Sequence, residues 1–237
     1  CGCSCPGRCR RPRAARGGPV PAGPRGHRFR LGALDSGTRC SWLIPVGAGG
    51  RNGKETAEAA HKLHESHGFT AFKTGPFQID PDASRWGRVC SEAAKYFEEI
   101  RAHTPDDWEF AFDPHAKIFE PIRAVQLADA LAPYDPMFFE EPLRPEHIPQ
   151  WQRLRKQMRV PLATGESLFG RFEFLDLIAR NAVDIIQPDV CICGGLLEMR
   201  KIAAIAEAHY VSVAPHNPMG PISTAVNVHF AAATHNF

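Results

Sequence analysis

The chain has 237 residues, of which 43% are apolar and 23% are charged, and its formal net charge is +2. This content can supply the core of one large α/β domain or two small ones, and it excludes disorder of the whole chain. The sequence has no apolar run long enough to cross a bilayer and no apolar stretch near residue 1 typical of a signal peptide. We therefore expect no membrane partner and a cytoplasmic location.

The charge is distributed unevenly along the chain. Residues 1–50 contain nine Arg, no Lys and a single acid, Asp35, so this segment carries +8, and subtracting it from +2 leaves −6 for residues 51–237. An acidic body argues against nucleic acid as the main partner, because phosphate binding needs a basic face on the folded part. A basic RNA-binding arm at the N-terminus is the alternative interpretation of the charge.

Residues 1–50 and 51–237 differ in composition and in the pattern of their apolar residues. The first segment is rich in Arg, Pro and Gly, with too few apolar residues in any period to form a core, so it is predicted to be disordered. Four of its cysteines, Cys1, Cys3, Cys5 and Cys9, crowd the first ten residues without a second Cys/His pair at zinc spacing and are interpreted as unstructured thiols. The second segment, residues 51–237, is predicted to be the catalytic domain.

Helical and strand-like segments alternate from residue 54 onward, as in a parallel sheet built from βα units. The predicted strands, in chain order, are 69–73, 110–113, 137–141, 161–166, 183–189, 211–216 and a truncated seventh at 233–237. The predicted helices are 54–67, 84–102, one opened by Pro121, 147–158, 171–180, one running from Gly194-Gly195 to His209, and one after Pro221.

This alternation fits either a TIM-type (β/α) barrel or a doubly wound open sheet. The open sheet is disfavoured because no strand runs into G-x-G-x-x-G or a Walker loop. The barrel is favoured because nearly every predicted strand ends in a polar residue, and the carboxyl ends of barrel strands build the active site. These residues are Lys73, Asp113 with His115, Glu140-Glu141, Glu166, Asp189 and His216.

Three of these carboxylates predict a metal site. Carboxylates converging at successive strand ends repel each other unless a cation lies among them, and hard oxygen ligands select Mg²⁺. We predict that Asp113, Glu140 and Glu166 bind Mg²⁺. The choice between Glu140 and Glu141 stays open at this point, because successive side chains of a strand face opposite ways.

Two histidines are candidates for acid/base work. His115 lies two residues after Asp113, so the two side chains share a face if the strand continues through Pro114. His216 and Asp189 end neighbouring predicted strands, which allows the carboxylate to fix the imidazole tautomer and increase its basicity. The catalytic candidates are therefore His115, His216, Asp189 and the first strand's Lys73.

The motifs resemble the mandelate racemase/muconate lactonizing group of the enolase superfamily, most of all its galactonate dehydratase branch. The resemblance runs from about residue 53 to 237 and is carried by these segments: GFTAFKTGP, FAFDPHAKIFEP, FFEEPLRPEH, PLATGESLFGRFEF, IIQPDVCICGGLLEMRKIA and VAPHNPMGP. It implies an incomplete barrel of the enolase C-terminal kind. The N-terminal capping domain and last strand are expected to be missing or truncated, and the first strand to be missing or to lie in CSWLIPVG.

The resemblance also implies an activity and roles for these residues. Asp113, Glu140 and Glu166 match the Mg²⁺ ligands, His216 with Asp189 matches the base dyad, and His115 matches the general acid. The expected reaction removes the C2 proton of a sugar acid and eliminates its C3 hydroxyl, giving a 2-keto-3-deoxy acid. The complete protein is expected to be a homo-oligomer. The alternatives are a racemase or epimerase of the same superfamily and a catalytically inactive barrel fragment.

Overall fold

The structure is a computed structural model that describes residues 50–237. The predicted disorder of the N-terminal segment, its cysteine cluster and the strand sought in CSWLIPVG lie outside the described residues. The described residues include the whole of the predicted catalytic domain, 51–237.

Six parallel strands and seven α-helices alternate along the described chain, as predicted. The strands are β1 (Ala71–Thr74), β2 (Glu109–Phe112), β3 (Phe139–Glu140), β4 (Leu162–Thr164), β5 (Ile185–Ile186) and β6 (Ser212–Val213). The helices are α1 (Gly53–His67), α2 (Trp86–Ala102), α3 (Pro121–Leu131), α4 (Ile148–Gln157), α5 (Gly170–Ala179), α6 (Leu196–Ala208) and α7 (Pro221–Ala232). A short 3₁₀ helix, Ala132–Tyr134, follows α3.

The strands pair in sequence order, β1-β2-β3-β4-β5-β6, and every pairing is parallel. This order is that of a curled, incomplete (β/α) barrel, and it excludes the doubly wound sheet, in which the strand order reverses. The register aligns the strand ends: Thr74 pairs with Phe112, Phe112 with Phe139, and Thr164 with Ile186. The residues that follow the strands therefore share one edge of the sheet.

Local sequence signals explain where several helices begin and end. The side chain of Asn52 accepts a hydrogen bond from the backbone N–H of Glu55 at 2.9 Å, which caps the start of α1. Gly68 ends α1 in the left-handed region, with φ 76°, and donates its N–H to the carbonyl of His64 at 2.7 Å. Pro121 opens α3 at a position where no backbone donor is needed. Within residues 50–237, none of the helices is long and apolar enough to cross a membrane.

The core lies between the strands and the helices, and it determines which strand residues face the inside of the curl. Phe97 of α2 packs against both Phe110 and Phe112 of β2, with ring centroids 6.3 Å and 4.6 Å apart. Because side chains alternate along a strand, Ala111 and Asp113 face the opposite, concave side. The acidic residue that follows β2 is thereby directed inward.

The predicted seventh strand at 233–237 is wrong in this structure. The described chain from Ala233 to Phe237 forms turns, and only the carbonyl of Asn236 pairs with β6, accepting the N–H of Val213 at 2.8 Å. One backbone hydrogen bond does not make a strand ladder. Most of the predicted strands were also longer than the observed ones, most clearly 183–189 against the two residues of β5, whereas β2 has the predicted length of four residues.

Candidate active site

Lys73, Asp113 and Glu140 form a buried charged cluster at the ends of β1, β2 and β3. The ammonium Nζ of Lys73 lies 2.5 Å from Oε1 of Glu140 and 3.1 Å from Oδ2 of Asp113. All three side chains are buried. The structure thus brings two of the three predicted metal ligands together, and it places the predicted catalytic lysine between them.

The charges of this cluster do not balance. One ammonium faces two carboxylates, so the fully ionised group carries a net charge of −1. Burial lowers the pKa of Lys73, but the carboxylates of Glu140 and Asp113 outweigh burial and raise it above its ordinary value. Burial raises the pKa of Glu140, and Asp113 raises it further against the opposing effect of Lys73. Both raised pKa values mean that the cluster favours an additional positive charge.

His115 is attached to this cluster through Asp113. The backbone N–H of His115 donates to Oδ1 of Asp113 at 2.8 Å, and its Nε2 lies 3.2 Å from Oδ2 of the same carboxylate. The strand does not continue through Pro114: β2 ends at Phe112, and His115 and Ala116 both have positive φ, 54° and 53°. Asp113 and His115 therefore meet through a tight turn rather than by strand alternation. Such backbone strain at non-glycine residues is concentrated at functional sites.

The structure separates the roles of Glu140 and Glu141, which the sequence left open. Glu141 has φ 32° and turns toward β4, where it accepts the hydroxyl of Thr164 at 2.8 Å and lies 3.5 Å from the backbone nitrogen of Gly165. Burial raises the pKa of Glu141 to about 7. Glu140 therefore belongs to the lysine cluster, while Glu141 links β3 to the turn that carries Glu166.

A second cluster lies at the ends of β4, β5 and β6. Nδ1 of His216 lies 2.9 Å from Oδ2 of Asp189, and Nε2 of His216 lies 3.4 Å from Oε2 of Glu166. Asp189 is buried and also accepts the backbone N–H of Cys191 at 2.8 Å through Oδ1. The buried carboxylate thus holds the imidazole through Nδ1 and leaves Nε2 directed toward Glu166.

The sheet order places the two clusters on opposite sides of the strand-end edge. His115 and its carboxylate follow β2, whereas His216 and its carboxylate follow β6 and β5, with β3 and β4 between them. A substrate lying across the strand ends would have one histidine on each side. This arrangement suits a reaction that removes a proton at one point and donates a proton at another.

The sequence interpretation did not identify the polar residues that support these groups. Thr164 holds Glu141 and is buried within β4, and Gln187, just beyond β5, is buried with its Oε1 lacking a partner. Only one feature of the sequence could have identified Thr164 and Gln187. Each lies two residues before a predicted site residue, Glu166 or Asp189, at the end of a strand. Nothing in residue spacing shows which neighbour a strand-end side chain contacts.

A family model described as enolase C-terminal domain-like matches residues 55–237. The chain belongs to this family. The match covers nearly all of the described residues, so both histidine clusters lie inside it. The predicted incomplete barrel of the enolase C-terminal kind is confirmed.

Relatives and solved structures similar to this enolase-type domain carry dehydratase names. A D-galactonate dehydratase of Ralstonia nicotianae is 40% identical over 175 residues, 72% of this chain and 44% of the relative. One of Pectobacterium atrosepticum is 36% identical over 200 residues, 83% of this chain and 49% of the relative. A solved enolase from Agrobacterium radiobacter, provisionally named a galactarate dehydratase and bound to sodium and L-malate, is 52% identical with a TM-score of 0.78. It aligns with 82% of this chain and 49% of its own.

The chain spans about half the length of these relatives. The family assignment therefore concerns the barrel domain. It does not by itself establish the activity or the substrate of the whole protein.

The chemistry of the enolase-type strand ends fits the Mg²⁺ ion that the resemblance implies. Asp113, Glu140 and Glu166 offer hard oxygen ligands. Oε2 of Glu140 is buried and has no hydrogen-bond partner, a costly state that a cation would relieve. In the structure Lys73 holds Asp113 and Glu140 while Glu166 lies toward His216, and residues 50–237 contain no preassembled group of three His, Cys, Asp or Glu ligands. The binding of one ion by all three carboxylates stays a prediction.

Proposed function

We propose that the protein is a Mg²⁺-dependent acid-sugar dehydratase that converts an aldonic or aldaric acid to its 2-keto-3-deoxy product. The observation that carries the proposal is the pair of histidines, each held by a buried carboxylate, on opposite sides of the strand-end edge. The dehydratase names of relatives at 36–40% identity support the same reaction class.

His216 is the proposed base. Its Nδ1–H donates to Asp189, so Nε2 carries the free lone pair and accepts the proton from C2 of the substrate. As that proton is transferred, the imidazole becomes positive, and the buried carboxylate of Asp189 stabilises the charge. Asp189 thus orients the base and does not itself receive the proton.

His115 is the proposed acid. Its side chain is 59% exposed, so it can reach a substrate, and its Nε2 lies 3.2 Å from Oδ2 of Asp113, which holds the imidazole beside the strand ends. The C2–H bond breaks with its proton going to His216, and the C3–O bond breaks as His115 protonates the departing hydroxyl. The products are water and an enol, which tautomerises to the 2-keto-3-deoxy acid.

Asp113, Glu140 and Glu166 are the residues that would hold Mg²⁺. The chemistry supplied by the ion when bound is neutralisation of the substrate carboxylate, which makes the neighbouring C–H bond more acidic. Lys73 adds a fixed positive charge beside Asp113 and Glu140. It limits repulsion between these two carboxylates.

A racemase or epimerase is the second candidate, because one of two histidines on opposite sides of a carbon could remove its proton while the other donates a proton to the opposite face. The two reactions differ in their product. Elimination releases water and gives a 2-keto-3-deoxy acid, whereas racemisation retains the C3 hydroxyl.

The proposal is tested by incubating the purified chain with a panel of aldonic and aldaric acids, with Mg²⁺ and with excess chelator. We expect a 2-keto-3-deoxy product, detected by colorimetric assay and mass spectrometry, only when Mg²⁺ is present. His216→Asn is expected to abolish it, while His229→Asn, which alters an exposed histidine of α7, is expected to retain it. A product with the mass of the substrate and inverted configuration would establish the racemase instead. No conversion across the panel would favour the inactive barrel fragment.

A further inference from the structure

We propose that a cavity beside His115 is a subsite for the second carboxylate of a dicarboxylic sugar acid, and that Arg144 binds this carboxylate. The inference rests on the proposed function, because it places the far end of the substrate whose near end reacts at the strand ends. Such a subsite would also select among substrates. It would favour the aldaric acids, which have a carboxylate at each end, over the aldonic acids.

The cavity has a volume of about 820 Å³ and is bounded by three successive βα loops. The β1–α2 loop contributes Asp82, the β2–α3 loop contributes His115 and Lys117, and the β3–α4 loop contributes Arg144 and Glu146. Its volume lies within the range of about 300–1,000 Å³ that is common for small-molecule sites. Since His115 forms part of the wall, a substrate whose C3 hydroxyl meets His115 would extend its remaining carbons into this space.

The walls of the cavity are fixed by hydrogen bonds between the loops. The N–H of Ala116 donates to the carbonyl of Glu141 at 2.7 Å, and the N–H of Ile118 donates to the carbonyl of Pro142 at 3.2 Å. Farther along, the indole N–H of the buried Trp151 donates to the carbonyl of Arg144 at 3.0 Å. The backbone of Arg144 is therefore held at a defined position relative to His115.

The guanidinium of Arg144 is available for a ligand. Six arginines of the described residues form ion pairs with carboxylates, whereas Arg85, Arg88, Arg153 and Arg200 form none, as is also true of Arg144, the arginine that lines this cavity. Arg144 pairs with no carboxylate among residues 50–237, although Glu146 lines the same cavity. The planar fork of an arginine matches the two oxygens of a carboxylate better than the ammonium of a lysine does.

The polar part of the remaining lining suits a hydroxylated chain, and the rest of the wall is apolar. Asp82 and Glu146 present oxygens that accept hydrogen bonds from sugar hydroxyls. The amino-terminal end of α4 also borders the cavity, because His147 is its N-cap and Gln150 lies in its first turn. The carboxylates of Asp82 and Glu146 offset the charges of Arg144 and Lys117 over the cavity as a whole, so an anion is favoured only locally, beside the guanidinium of Arg144 and the positive end of the α4 dipole.

An aldonic acid leaves this preference unsatisfied. Its far end is a neutral CH₂OH group, so the guanidinium of Arg144 would lose water on binding without gaining an opposite charge. Galactarate and galactonate form a matched pair of probes, because they share the galacto arrangement of hydroxyls and differ at C6, which is a carboxylate in one and an alcohol in the other.

The test is a calorimetric measurement of Kd for galactarate and for galactonate in buffer containing Mg²⁺, with full chains that all carry His216→Asn so that neither acid is consumed. We expect galactarate to bind about tenfold more tightly than galactonate, the effect of one charge-assisted contact at a partly exposed site. Arg144→Gln is expected to bring the ratio of the two Kd values close to one, and Arg144→Lys to give an intermediate ratio. Arg153→Gln, which removes an exposed arginine of α4 outside the cavity, is expected to keep the original ratio.

Equal Kd values in the chain that retains Arg144, an unchanged ratio in Arg144→Gln, or no binding of galactarate would each overturn the subsite. Turnover by the chain that retains His216 separates this result from the proposed function. Preferential binding of galactarate without dehydration would uphold the subsite and reject the dehydratase. Dehydration of both acids with equal Kd values would uphold the dehydratase and reject the subsite.

Discussion

Nδ1 of His216 lies 2.9 Å from Oδ2 of Asp189, although 27 residues separate them in the sequence. The two residues follow neighbouring parallel strands, β6 and β5, so the βα unit between them returns the chain to the same edge. This contact sets which nitrogen of the imidazole holds a proton.

Asp189→Asn is expected to remove that control. An amide can accept or donate, so His216 would no longer be held with its proton on Nδ1. We expect ¹⁵N NMR of the imidazole to show a mixture of tautomers in place of one. Dehydration should fall by about 10²- to 10⁴-fold, the range for loss of general base catalysis. A single unchanged tautomer in the variant would show that Asp189 does not orient this histidine.

Lys73→Met is expected to reduce the free energy of unfolding by about 3 kcal/mol, because it leaves Asp113 and Glu140 buried without their counter-charge. Added Mg²⁺ should recover part of this loss, since a divalent cation would supply the missing positive charge. Urea denaturation with and without Mg²⁺ measures both effects.

Lys95→Met is the matched control for Lys73. Lys95 also pairs with a glutamate, Glu92, at 3.3 Å, but its side chain is 68% exposed. Water solvates both charges there, so we expect a change below about 1 kcal/mol and no response to Mg²⁺. Similar losses in the two variants would mean that burial of the Lys73 cluster contributes nothing particular to stability.

Gly165→Ala is expected to destabilise the fold by about 2 kcal/mol. Gly165 has φ +126°, and a Cβ at this position would lie 2.7 Å from Cε1 of Phe174. Gly87→Ala provides the contrast, because this exposed residue in α2 has no neighbour within 4 Å of an added Cβ. Here alanine should stabilise the protein by about 0.5 kcal/mol. Thermal unfolding of the two variants should shift Tm in opposite directions.

Cys193 is expected to react with thiol reagents far more slowly than Cys191. Burial raises the pKa of Cys193 to about 11, so at pH 8 only about one molecule in a thousand carries the reactive thiolate. Cys191 is exposed. Timed alkylation at pH 8 followed by peptide mass spectrometry should modify Cys191 at least 100-fold faster, and the two rates should become similar in denaturant. Equal rates in the folded protein would contradict the burial of Cys193.

Several features were predictable from the sequence because they depend on local chemistry. The alternation of apolar runs with amphipathic segments predicted six strands and seven helices in the right order, and Asn52, Gly68 and Pro121 marked helix ends by their backbone preferences. The polar residues at strand ends were identifiable because parallel strands place those ends at one edge. Element boundaries were less predictable, because the length of β5 or the absence of a strand at 233–237 depends on pairing with neighbours.

Only the tertiary structure decided which side chains meet at that edge. Left-handed turns at His115 and Glu141 interrupt strand alternation, and they send His115 back to Asp113 and Glu141 across to Thr164. Lys73 contacts residues 40 and 67 positions later in the chain, a pairing that strand register creates and residue spacing does not encode. The sequence alone determined the chemical groups and the edge at which they gather. Folding decided their partners, because contacts between strand ends depend on backbone turns and register set by the whole sheet.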